Sequence, residues 1–219
     1  MTEGKGEALE AGVTAGVQPP CRFALLRRDL QRYFQAEGDG YPGLLKALRI
    51  FLDTPGMQAV VVFRFCSWVE RSVRLRLLRY PLKVIAYVLQ KLCIILWGIS
   101  IDDRAQIGGG LYIGHFGGII IGPVKMGRDC SVARNVAIGR RAGSGASGVP
   151  TIGDRVWIGA GSLLFDGITV GDGVTIGPLT VVGRNLPSRV LVMGNPMRLL
   201  RKNYDNSAEV YGKAGPPAE

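Results

Sequence analysis

His115 is the only histidine among 219 residues. A neutral imidazole can accept a proton near pH 7 without help from its surroundings. This one sits in a glycine-rich stretch, between Gly114 and the Phe116-Gly117-Gly118 run. That setting makes His115 a candidate general base on a rigid scaffold. The other chemically able side chains are dispersed. Cys21, Cys66, Cys93 and Cys130 show no paired spacing, so they fit neither a zinc site nor a disulfide framework and suit a reducing compartment. A single histidine argues against a His-based metal site. No metal and no permanently bound cofactor are predicted.

The scaffold is legible as a period. Ile152, Ile158, Leu164, Val170, Ile176 and Val182 recur every six residues, and glycine follows five of them, from Gly153 to Gly183. Ile101, Ile107, Ile113 and Ile119 keep the same step upstream. A shift of one residue then yields Ile120, Met126, Val132 and Ile138. Neither a helix nor a single alternating strand sustains a period of six. Short strands joined by turns do, each placing one aliphatic side chain inside a solenoid. The interval from Ile138 to Ile152 is two residues longer than two repeats. Its Gly- and Ser-rich sequence, an extended loop at 139–151, is predicted to project from the coil, where functional loops are commonly carried.

Residues 21–99 read as helical. Leu26, Leu30 and Phe34 share one face, as do Leu44, Leu45, Leu48 and Leu52. Pro55-Gly56 divides two helices, and a further helix is predicted from Met57 to about Val69. In 76–97, Arg76, Arg79, Lys83, Tyr87 and Gln90 form a polar, basic stripe on an otherwise apolar helix. The uncharged run 92–101 is shorter than the roughly twenty residues that span a bilayer. Two readings stay open: packing on neighbouring helices or subunits, or lying on an anionic membrane surface.

The formal net charge is +10, and between Arg22 and Lys91 thirteen Lys/Arg face five Asp/Glu. No basic–aromatic interleaving accompanies this excess, so nucleic acid is not an expected partner. Residues 1–20 carry Glu3, Glu7 and Glu10 without an apolar core, which predicts a disordered leader and no signal peptide. The tail from Asn203 to Glu219 reads the same way.

Three stretches carry a family resemblance. GGGLYIGHFGGIIIG (108–122) resembles the active-site coil of serine O-acetyltransferases, within the hexapeptide-repeat acyltransferases. TIGDRVWIGAGS (151–162) is similar to their repeat after the extended loop, and VMGNPMR (192–198) to their closing motif. PGMQA (55–59), with Arg64 and Trp68, resembles the last helices of their N-terminal domain. The resemblance covers roughly 45–200. It implies an α+β chain: a helical domain at 21–99, a left-handed parallel β-helix of hexapeptide repeats at 100–198 and a tail at 199–219. It implies a homotrimer, with acetyl-CoA as co-substrate in a cleft between subunits. His115 falls at the family's catalytic histidine, which takes the proton of an acceptor hydroxyl for direct attack on the thioester.

The resemblance also assigns supporting positions. CoA binding falls on Gly139, Ala160, Gly161, Gly177 and Pro178, where small residues let the pantetheine arm run close to the backbone. Arg198, with Arg201 and Lys202, is placed to meet the ribose phosphate. Ser100 stands at the family's histidine-orienting aspartate, so Asp102, two residues on, is the substitute. Gly114 replaces another family aspartate, and Gly148-Val149 replaces an Arg-His pair that engages the carboxylate of serine. Arg140 and Arg141 are then the cations left for an acceptor. These losses, with the IGHFGG variant, are similar to the exopolysaccharide and sugar O-acetyltransferase branch and predict a sugar hydroxyl as acceptor. The alternatives are a serine O-acetyltransferase of cysteine biosynthesis and a non-catalytic hexapeptide scaffold. The tail ends Pro-Pro-Ala-Glu219, unlike the terminal isoleucine through which the family binds a cysteine-synthase partner. The expected location is cytoplasmic, or peripheral on the inner face of the membrane through helix 76–97.

Overall fold

A computed structural model of the chain describes residues 22–36, 38, 42–73, 75–140 and 148–212. Four helices come first: α1 (Arg22–Ala36), α2 (Leu44–Asp53), α3 (Pro55–Ser72) and α4 (Arg76–Trp97). The third starts at Pro55, whose fixed φ suits a first helical turn that needs no N–H partner. It runs longer in both directions than the predicted Met57–Val69. Gly98, at φ 63°, ends α4 and donates its N–H to the Cys93 and Ile94 carbonyls, the left-handed cap that glycine adopts without a Cβ penalty.

The chain then coils into short parallel strands on three faces. The first sheet holds β1 (Ile99–Ile101), β4 (Ile119–Ile121), β7 (Ala137–Gly139), β10 (Leu163–Phe165) and β13 (Val181–Val182). The second holds β2 (Gln106–Ile107), β5 (Lys125–Met126), β8 (Thr151–Ile152) and β11 (Thr169–Val170). The third holds β3 (Tyr112–Ile113), β6 (Ser131–Val132), β9 (Trp157–Ile158), β12 (Thr175–Ile176), β14 (Val190–Met193) and the antiparallel β15 (Arg198–Lys202). Every third strand pairs, so one coil is three hexapeptides. The inward residues Ile107, Met126, Ile152 and Val170 stack in register, as do Ile113, Val132, Ile158 and Ile176. All are buried. This is a parallel β-helix of hexapeptide repeats behind an N-terminal helical unit, as the sequence predicts.

One register expectation is corrected. The period placed Ile120 inward after a one-residue shift. The structure buries Ile119 and Ile121 and leaves Ile120 58% exposed. Ile101 pairs with Ile121, and Ile121 with Ile138. The true interval from Ile113 to Ile121 is therefore eight residues, and the enlarged corner is the one that carries His115.

The helices are clamped to the coil by buried polar groups. Asp29 of α1 is fully buried and accepts the N–H groups of Gly110 (2.7 Å) and Leu111 (2.9 Å). It also accepts Arg64 of α3 at 2.7 and 3.1 Å, while Arg64 donates onward to the Ile107 and Gly108 carbonyls. Tyr33 accepts the Ile113 N–H at 2.9 Å on the otherwise unpaired edge of β3. A Cβ on Gly56 would lie 2.0 Å from the Ile113 carbonyl oxygen, so only glycine lets α3 approach this strand.

The described part of the tail, up to Gly212, is structured, contrary to expectation. After β15 folds back on β14, α5 (Ser207–Tyr211) docks on α1. The buried Arg32 donates to the carbonyls of Gly110, Cys130 and Val210 and to the Ser131 hydroxyl. The Tyr211 hydroxyl donates to Asp129 at 3.0 Å, and Arg28 holds that same carboxylate in a bidentate pair. Residues 1–20 and 213–219 lie outside the described residues.

Candidate active site

His115 lies on the 114–118 turn between β3 and β4. The turn is tied down on both sides. Gly117 donates its N–H to the Trp97 carbonyl at the end of α4 and accepts the N–H of Asn135, each at 2.9 Å. Gly118, at φ +65°, has no space for a side chain, because a Cβ would sit 2.3 Å from Asn135 Oδ1. The backbone is therefore fixed while the imidazole stays exposed, and no described residue partners it. A histidine with both ring nitrogens unclaimed can receive a proton from a bound hydroxyl.

Asp102 does not reach it. Its carboxylate receives two hydrogen bonds from the Arg104 guanidinium, at 3.0 and 2.9 Å, and a third from the Arg104 backbone N–H. The Arg104 hydrogen bonds hold the Asp102 carboxyl below its usual range. The expected orienting role is thus corrected: a cation two residues away outcompetes a histidine across the coil. Ser100 pairs with Ile120 on β1 and supplies no charge there.

The expected cofactor residues divide between the two edges of the first sheet. The corner of His115 stacks on the corner holding Arg134 and Asn135, then on Ala160-Gly161, then on Pro178-Leu179. The links are backbone hydrogen bonds from Asn135 to Gly117, from Gly161 to Arg134 and from Leu179 to Ala160. Ala160, Gly161, Gly177 and Pro178 therefore share one column with His115. Within it, a Cβ on Gly177 would lie 2.6 Å from Met193 Cε. Gly139 sits at the opposite edge, where a Cβ would meet only the Gly122 Cα, at 4.0 Å, among the described residues beyond its chain neighbours. Arg140 follows it, exposed, with Nε 3.5 Å from the Gly148 carbonyl, a long contact that leaves its charge available. Arg198 is exposed on β15 opposite Met193, at the end of the column. Arg141 lies outside the described residues.

Arg134 is the residue that sequence reasoning passed over. It is exposed one coil beyond His115 in the same corner, and coils in such a ladder are separated by about 4.8 Å. Only the nineteen-residue offset from His115, read with the corrected register, points to it.

The described cysteines are not nucleophiles. Burial pushes the thiols of Cys66 and Cys93 up to about 11 and that of Cys130 up to about 12, so none carries appreciable thiolate at neutral pH. The site suits direct transfer between two bound substrates.

Comparisons with known proteins agree with this architecture. Residues 150–184 match the family model for the bacterial transferase hexapeptide (six repeats). A serine acetyltransferase of Synechococcus elongatus is 30% identical over 182 residues, covering 83% of this chain and 70% of that protein. One from Helicobacter pylori is 30% identical over 179 residues, covering 81% of this chain and 98% of its own. Among solved structures, soybean serine acetyltransferase complexed with serine superposes with a TM-score of 0.68 at 26% identity, covering 83% of this chain and 70% of that one. The Brucella abortus serine acetyltransferase in complex with coenzyme A gives a TM-score of 0.68 at 25% identity, covering 82% and 68%. With identity at this level across nearly the whole of the Helicobacter pylori protein, the chain belongs to the serine acetyltransferase family of hexapeptide-repeat transferases.

Proposed function

We propose that the chain transfers the acetyl group of acetyl-CoA to the hydroxyl of L-serine, with His115 as general base. The observation that carries this reading is the fixed turn presenting an imidazole without a partner among the described residues, beside a column of small residues. His115 takes the hydroxyl proton as the oxygen attacks the thioester carbonyl. The tetrahedral intermediate then expels the CoA thiolate, which recovers the proton from the imidazolium. Ala160, Gly161, Gly177 and Pro178 line the path for the pantetheine arm, with Gly139 across the sheet and Arg198 at the phosphate end. The relatives and solved structures cited above are serine acetyltransferases, two of them captured with serine or coenzyme A. They give no support to the sugar branch expected from the sequence, so serine replaces sugar as the first reading.

A sugar hydroxyl is the second reading, favoured by one observation. Gly148 and Val149 offer no charged side chain where the resemblance expects contacts to the serine carboxylate, and Gly114 offers none where it expects an aspartate. In the serine reading, Arg134 supplies the missing cation and Arg140 assists from the loop. The test is thiol release from acetyl-CoA with L-serine in one series and nucleotide sugars in another. With serine as acceptor, Arg134→Ala raises the KM for serine about tenfold or more and leaves that for acetyl-CoA unchanged, since a charge-assisted bond contributes about 1.5–3 kcal/mol. Turnover with sugars alone selects the second reading. No turnover with either defeats both.

The expected homotrimer is part of this proposal. Ile120 (58% exposed), Ala137, Leu163 (42% exposed) and Val181 form a register ladder along the outer face of the first sheet. Phe116 and Leu179 stand exposed in the His115 column beside it. Such a contiguous apolar strip marks an association surface. Leu163→Glu is expected to convert a trimer to monomer in light-scattering chromatography and to abolish turnover, while far-UV circular dichroism stays unchanged. An unchanged trimer in this variant would place the interface elsewhere.

A further inference from the structure

We propose that the outward face of α4 docks flat on an anionic lipid surface. The helix has 22 residues and is long and apolar enough by composition to cross a membrane, yet among its residues only Ala86 and Cys93 are buried. Leu77, Tyr80, Val84, Tyr87, Lys91 and Ile95 recur at steps of three and four and point away from the protein. Leu77 is 93% exposed, Tyr80 76% and Ile95 75%. This inverts the usual surface helix, whose solvent face is polar.

Crossing a bilayer is incompatible with the other face. Ala86 and Cys93 are buried against the domain, Cys66 Sγ contacts the Ala86 carbonyl, and Gln90 donates to the Ile101 carbonyl at 2.9 Å. Lys83 pairs with Glu70 of α3 at 2.7 Å, and Gly98 leads directly into β1. The basic stripe read from the sequence therefore turns partly toward α3. A helix held along one side and apolar along the other lies in the interface plane.

Charge selects lipid as the occupant. The helix contains no Asp or Glu, and the exposed Arg76 and Lys91 border or interrupt its apolar face, while Lys83 is committed to Glu70. Two copies joined through this face would bring those cations together, in a chain of net charge +10. An anionic headgroup layer complements the cations while the acyl boundary receives the leucine, valine and isoleucine. Tyr80 and Tyr87 have the amphipathic rings suited to that boundary. This inference is independent of which acceptor the enzyme uses.

The test is flotation of the full chain with phosphatidylcholine vesicles, alone or mixed with phosphatidylglycerol. Binding is expected only with phosphatidylglycerol, and it weakens as salt screens the cations. Lys91→Ala reduces the partition coefficient about fivefold, from about 1 kcal/mol per surface cation. Leu77→Glu combined with Tyr80→Glu abolishes binding without lowering the melting temperature, because both side chains are largely exposed. Equal binding to both vesicle types, or none to either, overturns the proposal. So does a lipid-free change of oligomeric mass in the double variant, which would assign the face to a second copy.

Discussion

Replacing His115 with alanine is expected to lower kcat for acetyl transfer about 10²–10⁴-fold, the usual contribution of a positioned general base. The imidazole is exposed and contacts no described side chain, so nothing in the fold depends on it. The KM for acetyl-CoA and the melting temperature should stay at wild-type values. Residual turnover would come from holding the two substrates in line, which alone is a large effect. Asp102→Ala is the matched control. Because that carboxylate is committed to Arg104, its loss should change kcat by less than threefold, far below the range expected for a base. A large Asp102 effect together with a small His115 effect would reverse the assignment. Steady-state thiol release at saturating acceptor measures both.

The parts legible in the sequence are those that repeat. Ile152 to Val182 announce the coil because each inward position recurs at a fixed step and every turn needs the same residue types. The His115 corner was harder, since Ile119, Ile120 and Ile121 offer three equivalent aliphatic side chains. Pattern alone does not say which faces in, and the pairing of Ile101 with Ile121 settles it. Asp102 was misread because sequence proximity to Ser100 ignores the competition from Arg104. The tail looked polar and disordered because its partners are remote. Arg32 reaches Val210 across 178 residues, and Tyr211 reaches Asp129 across 82. The same distance hid Arg134, which neighbours His115 only when consecutive coils are laid on one another.

The helical clamp is expected to be the costliest feature to break. Asp29→Ala should lower the unfolding free energy by about 3–5 kcal/mol, the range for removing one partner of a buried pair. Asp29 is 0% exposed and the Arg64 side chain only 10%. Truncation leaves a buried guanidinium without its counter-charge and strands the N–H groups of Gly110 and Leu111, each costly to bury unpaired. Asp29→Asn should cost less, because one side-chain oxygen remains as an acceptor. Arg49→Ala serves as the surface comparison. It removes a 3.5 Å pair with Asp53 whose side chains are 84% and 68% exposed, and exposed pairs of this kind contribute about 0–1 kcal/mol. Urea unfolding followed by circular dichroism separates the two cases through the midpoint. Gly110 and Leu111 lead straight into β3 and the His115 turn. Asp29→Ala should therefore also lower kcat under conditions where the protein is still folded. Equal, small effects from Asp29→Ala and Arg49→Ala would mean that the apolar contacts of α3 hold the helices in place, and that the polar clamp contributes little to either stability or the site.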